Sequence, residues 1–256
     1  TRLGYSNSFS IYDSADSQRL ITIVANELNL DAKRYPARQF QSMISNAKNE
    51  LLGPQDYLNA ASNPFEQIVA DVYAVYQQRL IRANAMDFDD LILKTVEVLQ
   101  RYPEAKARFR SRFRHVLVDE YQDTNHAQYI LVKELVGTEL EGQAPAELCV
   151  VGDADQSIYG FRGATIRNIL QFELDYPNAR TVLLEQNYRS TQNILNAANA
   201  VITKNESRKE KNLWSDAGAG SPLTGYVAES EHDEANFIAD EIRSLQREGV
   251  STPGDT

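Results

Sequence analysis

The sequence predicts an α/β protein in which a parallel sheet follows a mainly helical region. Three observations carry that expectation. Short apolar runs at residues 115–118, 148–151 and 181–184 each stop at a polar loop. Helical patterns of roughly ten residues lie between those runs, an alternation that calls for parallel strands joined by right-handed crossovers. The first 85 residues instead show helical spacing throughout, with no strand of convincing length.

The elements follow in order. Ser14 or Asp16 is placed to cap a helix through Leu20, Ile21, Ile23, Val24 and Leu28. A second helix is expected over residues 38–52, ending near Gly53-Pro54. A third covers 65–80, where Phe65, Ile68, Val69, Val72, Tyr76 and Leu80 share a face. Residues 87–100 read as helix, with Asp87, Asp89 and Asp90 near its positive end and Phe88 buried; a metal cluster is the other reading of those acids. Pro103 breaks that helix, and a short basic one follows over 104–113. Lys106, Arg108, Arg110, Arg112 and Arg114 would spread around it as a solvated or salt-bridged surface rather than a phosphate track.

The first expected strand ends in Asp119-Glu120, the second in Gly152-Asp153, and the third, over 181–185, leads into Gln186-Asn187. Helices are expected over 125–136, 164–174 and 190–203. A polar linker at 204–211, with Gly218, Gly220 and Pro222 after it, precedes a possible strand at 223–228 and a helix at 233–247. The chain divides on this reading into a helical region, 1–85, an α/β region, 86–205, and a linker with the start of another lobe, 206–256.

Composition narrows the class. The chain is 42% hydrophobic and 24% charged, ordinary for a globular protein. No run of eighteen apolar residues exists and the N-terminus has no signal-peptide pattern. One cysteine, Cys149, allows no internal disulfide, which suits a reducing cytoplasm; in its apolar run it reads as a small buried hydrophobe. Three scattered histidines give no zinc spacing. A net charge of −10 argues against a module that grips nucleic acid through a basic patch. It leaves room for a protein that holds a single strand by stacking in a local groove.

The chemistry sits in the three polar loops. Ligands of an open parallel sheet bind beyond the carboxyl ends of its strands, so all three loops are expected at one edge, around one site. A hydrophobic strand ending in Asp-Glu is the Walker B arrangement: the Asp holds Mg²⁺, commonly through a water, and the Glu polarises an attacking water. Taken alone, Asp119-Glu120 could equally be a solvated turn. Its context is more specific. VDEYQDTN (118–125), GDADQSIYGFRGA (152–164) and LEQNYRST (184–191) resemble, in order and spacing, three successive motifs of superfamily 1 helicases of the UvrD/PcrA/Rep group. The text at 84–91 and 197–199 resembles that group too.

The resemblance implies a fold and a set of roles. The fold is a RecA-like parallel sheet of a P-loop NTPase motor lobe, incomplete here, with a large all-helical insert subdomain over 1–85. Asp119 is implied as the Mg²⁺ carboxylate, Glu120 as the catalytic base and Gln156 as the contact to the γ-phosphate or attacking water. Arg189 would reach the γ-phosphate with a planar, permanently charged fork, and Tyr188 would stack on the nucleotide base. Tyr159, Phe161 and Arg162 resemble the single-strand contact, where an aromatic ledge binds any sequence at about 1–3 kcal/mol per stacked base. Many relatives carry Trp where this chain has Phe161. The alternative for Tyr159 and Phe161 is a place in the core. Gln122 and Asp123 are read as helping to position the site loops, with a plain turn as the alternative.

The implied cofactors are ATP and Mg²⁺. The implied partners are single-stranded DNA and duplex junctions, with repair or replication proteins, and no membrane. One part of such a motor is not found: no segment reads GxxxxGK[ST], and Ala217-Gly218-Ala219-Gly220-Ser221 has no following Lys. The chain also begins without Met. It is therefore expected to be the middle of a longer ATP-dependent DNA helicase, moving 3′ to 5′, and by itself inactive as an ATPase. The alternative is a non-catalytic single-strand DNA-binding or docking module derived from such an enzyme.

Overall fold

A computed structural model describes residues 3–137, 144–160, 163–165, 167–170, 172–205 and 211–250. The chain divides into two compact units, residues 1–181 and 182–256.

The first unit begins with a helical core. β1 (Ser10–Tyr12) leads into α1 (Ser14–Glu27), then α2 (Ala37–Asn49), α3 (Pro54–Ala60) and α4 (Pro64–Arg82). Asp13, rather than Ser14 or Asp16, caps α1: its carboxylate accepts from the Asp16 amide at 2.8 Å. Pro54 and Pro64 open their helices, where a missing N–H costs nothing. Val69, Val72, Tyr73, Tyr76 and Leu80 of α4 bury one face against Ile21 and Val24 of α1 and Phe40 and Ile44 of α2. Phe40, Phe65 and Tyr35 stack along the rim of that core, with centroids 5.9–6.3 Å apart.

Two short strands, absent from the sequence expectation, join this core to the rest of the unit. β2 (Ala85–Asp87) pairs in parallel with β1, Ser10 to Ala85 and Tyr12 to Asp87. Three residues fall below the length at which a strand declares itself, and all three of β2 are buried, which erases alternation.

α5 (Phe88–Arg101) starts directly from β2, capped by Asp87, whose carboxylate accepts from the Asp90 amide at 2.8 Å. The acids here are structural. Lys48, on α2, is 1% exposed and reaches Asp87 at 2.6 Å and Asp90 at 3.1 Å. The Tyr76 hydroxyl donates to Asp87 at 2.9 Å, and the Gln77 amide donates to Asp90 at 3.0 Å. Burial, with the Asp87 and Asp90 charges adding to it, pushes the Tyr76 hydroxyl far above its ordinary pKa. Phe88, expected to be buried, is 62% exposed. Capping turns Asp87 inward, and its neighbour in the chain consequently faces out.

α6 (Pro103–Arg112) and α7 (His126–Val136) flank the second sheet, in which β3 (His115–Val118) pairs in parallel with β4 (Glu147–Val150). α7 is the crossover between them, opened by a capping box of Asn125 and Gln128. The basic helix is salt-bridged, as expected: Lys106 meets Glu134 at 2.8 Å. Arg110, though, is 7% exposed and donates to the Glu134 carbonyl at 2.7 Å, where it satisfies the last turn of α7. Gly137 ends α7 at φ +78°, with the Arg110 guanidinium where a Cβ would sit.

Both strands of the second sheet alternate. Val116, Val118, Leu148 and Val150 are half-buried; Leu117, at 77% exposed, and Cys149 point outward. The buried place expected for Cys149 is therefore corrected by the pleat. α8 (Arg167–Leu170) and α9 (Phe172–Asp175) complete this unit.

The second unit holds α10 (Gln192–Ile202) and α11 (Glu231–Arg247), the latter capped by Ser230. The expected strands at 181–185 and 223–228 do not form. Val182, Leu183 and Leu184 are 55–78% exposed, and only a single parallel bridge, Gln186 to Trp214, comes after them. A strand exists through its partner's backbone, and among the described residues the one backbone bond to this run is at its last residue, where the Trp214 amide donates to the Glu185 carbonyl at 3.1 Å. The single sheet expected from the sequence is thus two separate parallel pairs among the described residues.

The buried charges give a stability test. Lys48→Met keeps the stem and strands two buried carboxylates, so unfolding in urea is expected to show a loss of about 3–5 kcal/mol. Arg79→Ala removes an equally short ion pair to Glu27, but both side chains are over 40% exposed, and its expected cost is within about 1 kcal/mol.

Candidate active site

The strand β3 delivers Asp119 and Glu120 to its carboxyl end, both exposed. Pairing continues past the strands: the Val151 amide donates to the Val118 carbonyl at 2.8 Å and the Tyr121 amide to the Val151 carbonyl at 2.9 Å. The two loops are thereby locked together at their roots. Between those bonds Glu120 adopts a left-handed backbone, φ +49° and ψ +44°. Glutamate has no preference for this region, so the surrounding structure must impose it. The Asp119 carboxylate supports the turn by accepting from the Glu120 amide at 2.9 Å.

Behind this turn the chain is anchored in the core. Tyr121 is 1% exposed and meets the Phe172 ring edge-on, 5.6 Å between centroids. Burial pushes its hydroxyl far above the ordinary phenol range. The Thr124 hydroxyl donates to the Tyr121 carbonyl, and Asn168 donates to Thr124. Asn125 reaches Asn49, at the end of α2, at 3.0 Å.

Gln122 is 1% exposed and faces both loops. Its amide nitrogen donates to the Glu120 carboxylate at 2.7 Å, and its amide oxygen accepts from the Asp153 backbone N–H at 2.9 Å. The Asp153 carboxylate in turn accepts from the Gln156 amide at 2.7 Å and the Asp155 backbone at 2.9 Å. Glu120 and Gln156 are therefore joined through two side chains, and Asp119 stands beside them.

Tyr159 follows on the same loop at 37% exposed, with Ile158 at 71%. A place in the core does not describe Tyr159. Phe161 and Arg162 lie outside the described residues.

In the second unit, Tyr188 and Arg189 sit on a loop pinned at its base. The Asn187 amide donates to the Trp214 carbonyl at 2.7 Å, and the Asn187 side chain accepts from the backbones of Arg189 and Ser190. Gln186 holds Asp216 and accepts from the Tyr188 hydroxyl. Tyr188 is 86% exposed and the Arg189 side chain is exposed as well. Trp214 gave no signal in sequence, because its role here is played by its backbone.

The donors at this edge are hard oxygens. Among the described residues no three His, Cys, Asp or Glu side chains gather to hold an ion. Asp119 contributes hard carboxylate oxygens at an exposed strand end, which fits Mg²⁺, an ion that keeps its own waters and takes only one or two protein carboxylates beside a phosphate. Among the described residues no helix is long and apolar enough to cross a membrane.

A family model described as the UvrD/REP helicase N-terminal domain matches residues 1–177, and one described as the UvrD-like helicase C-terminal domain matches residues 182–253. The chain is similar to the ATP-dependent DNA helicase UvrD1 of Mycobacterium tuberculosis, at 59% identity over 256 residues, covering 98% of this chain and 33% of that protein. It is also similar to the ATP-dependent DNA helicase PcrA of Leuconostoc citreum, 52% identical over 244 residues (95% and 32% covered). For PcrA of Bacillus subtilis the identity is 47% over 248 residues (97% and 33% covered). The chain spans about a third of the length of these curated relatives.

Gly152 reports on how tightly the two loops close. A Cβ there would lie 2.6 Å from the Gln122 amide oxygen and 3.1 Å from the Tyr121 backbone nitrogen. Gly152→Ala is expected to cost about 1–3 kcal/mol in chemical denaturation, whereas Gly160→Ala, with nothing within 4 Å, should cost under about 0.5 kcal/mol.

Proposed function

The chain belongs to the UvrD/REP helicase family, and from that premise we propose that it carries the water-activating and strand-binding part of an ATP-dependent DNA helicase. The observation that carries the reading is the hydrogen-bonded series from Glu120 through Gln122 and Asp153 to Gln156, at the carboxyl ends of two parallel strands. Phosphoryl transfer to water needs little covalent chemistry from a protein; it needs positioning and charge stabilisation.

Glu120 accepts a proton from, or orients, the attacking water. Gln156 contacts that water or the γ-phosphate. Arg189 brings a permanent positive fork to the charge that builds on the transferring group. Tyr188 offers an exposed ring face to the nucleotide base. Asp119 would hold Mg²⁺, through water, and the ion when bound neutralises phosphate charge. Tyr159, with Phe161 and Arg162, supplies the ledge for unpaired bases. Residues 1–85 would form the helical insert of the first motor lobe, 86–205 the part of that lobe after the insert, and 206–256 the linker and start of the second lobe.

The whole protein would translocate on single-stranded DNA, 3′ to 5′, and open duplex at junctions in repair or replication, in the bacterial cytoplasm at the nucleoid. The 256 residues contain no GxxxxGK[ST] loop to cradle phosphates, so the isolated chain is not expected to turn over ATP. A non-catalytic docking module is the second reading. The complete set of Asp119, Glu120, Gln156 and Arg189 disfavours it, because docking asks nothing of a γ-phosphate site.

In the full-length protein that contains this chain, single-stranded DNA should stimulate ATP hydrolysis, and Glu120→Gln should lower kcat by about 100-fold or more while nucleotide binding persists. Absence of stimulation would sink the motor assignment. For the isolated chain, turnover above background that Glu120→Gln abolishes would overturn the expected inactivity.

A further inference from the structure

The geometry points to Gln122 as a positioning residue for hydrolysis: a buried strut that sets the Glu120 carboxylate at a fixed distance from the loop carrying Gln156. The inference rests on the reading of Glu120 as the group that activates water.

Four observations define the strut. Both ends of the Gln122 amide are used, by the Glu120 carboxylate at 2.7 Å and the Asp153 N–H at 2.9 Å. Those partners also fix which end is which. A carboxylate only accepts and a backbone N–H only donates, so a flipped amide would lose both bonds. The side chain is 1% exposed, so water does not compete for either bond. Gly152 leaves no room for a Cβ beside the amide oxygen, 2.6 Å away. Glu120 itself is held left-handed at φ +49°, which directs a carboxylate on an exposed turn back toward a buried partner.

The arrangement answers a chemical need. A glutamate at an exposed strand end has three side-chain torsions and samples many positions. A general base works within hydrogen-bond reach of one water and loses rate steeply when displaced. Gln122 restrains the carboxylate through one oxygen, Oε2, and does not use the other. Through Asp153, whose carboxylate holds the Gln156 amide at 2.7 Å, the same strut ties the base to the residue expected to face the γ-phosphate.

Two substitutions separate the strut's two bonds. Gln122→Glu keeps an oxygen for the Asp153 N–H but sets a carboxylate against Glu120. Gln122→Met keeps the length and loses both bonds. In the full-length protein with saturating single-stranded DNA, both variants should lower kcat by about tenfold or more, with KM for ATP and the Kd for a fluorescent ATP analogue within twofold of wild type. Hydrogen exchange at the Asp153 amide should stay slow in Gln122→Glu and accelerate in Gln122→Met. A kcat within twofold of wild type in Gln122→Glu overturns the proposal. So does a parallel change of kcat, KM and melting temperature in both variants, which marks a residue that merely holds the fold. Glu120→Gln is assayed beside them: if it leaves kcat intact, the reading of Glu120 has failed and the strut's catalytic role falls with it. If it abolishes turnover while Gln122→Glu does not slow it, the strut alone is overturned.

Discussion

Lys48 is the fixed point of the helical unit. A lysine ammonium with its side chain fully buried survives only among opposite charges, and Asp87 and Asp90 supply them at 2.6 and 3.1 Å. The geometry that satisfies it fixes three elements at once: α2, which carries it, the end of β2, and the first turn of α5. Tyr76 and Gln77 of α4 complete the shell. Asn49, the next residue along α2, bonds Asn125, the cap of α7 just after the Asp119-Glu120 loop. Two consecutive residues therefore fasten the helical core to the frame on which the candidate site is built. Loss of the ammonium would free more than one ion pair.

From that frame the site is assembled by strand ends. β3 and β4 run in register, and two backbone bonds continue the pairing into the loops. The loops cannot drift apart, and of the two residues between the bonds Glu120 takes a backbone conformation that its side chain does not favour. Strain of this kind, of order 1–2 kcal/mol, persists where neighbours overdetermine the chain. Here the neighbours are the Val151–Tyr121 bond, the buried Tyr121 ring and the Gln122 amide.

Much of this was legible in the sequence. Helices with a long apolar face, such as α4 with Val69, Val72, Tyr76 and Leu80, declare themselves because one period runs through many residues. The Asp-Glu strand end was legible only through its context, because two acids after an apolar run could equally be a solvated turn, whereas three long polar loops in order could not. β1 and β2 were hidden because three residues are too few to show a period, and those of β2 are all buried. Cys149 and Phe88 were misplaced because orientation depends on what packs beside a residue, and a single sequence does not show the partner. Lys48 was invisible for a related reason: a lysine in an amphipathic helix looks solvated until its two acids, about forty residues away, are brought to it. The run at 181–185 reads as a strand by composition, yet a strand needs a neighbour along its length, and among the described residues only Trp214 bonds its backbone, at Glu185.

Burial divides the polar residues by role, and the division is sharper than residue type. Asp87, Asp90, Arg110, Asn168 and Lys48 are all under 9% exposed, and each has a protein partner. Such groups are bound to the fold, since an unpaired one would carry the full cost of lost hydration. Asp119, Glu120, Gln156, Tyr188 and Arg189 are of the same chemical kinds and stand exposed at loop tips. Their hydrogen bonds to the protein leave part of each side chain open to solvent. Groups that a structure positions with care and then leaves facing solvent are suited to a ligand that arrives from solvent. Gln122 belongs to the first class by burial and reaches the second through its hydrogen bond to Glu120. It is where the interior of the protein takes hold of its candidate chemistry.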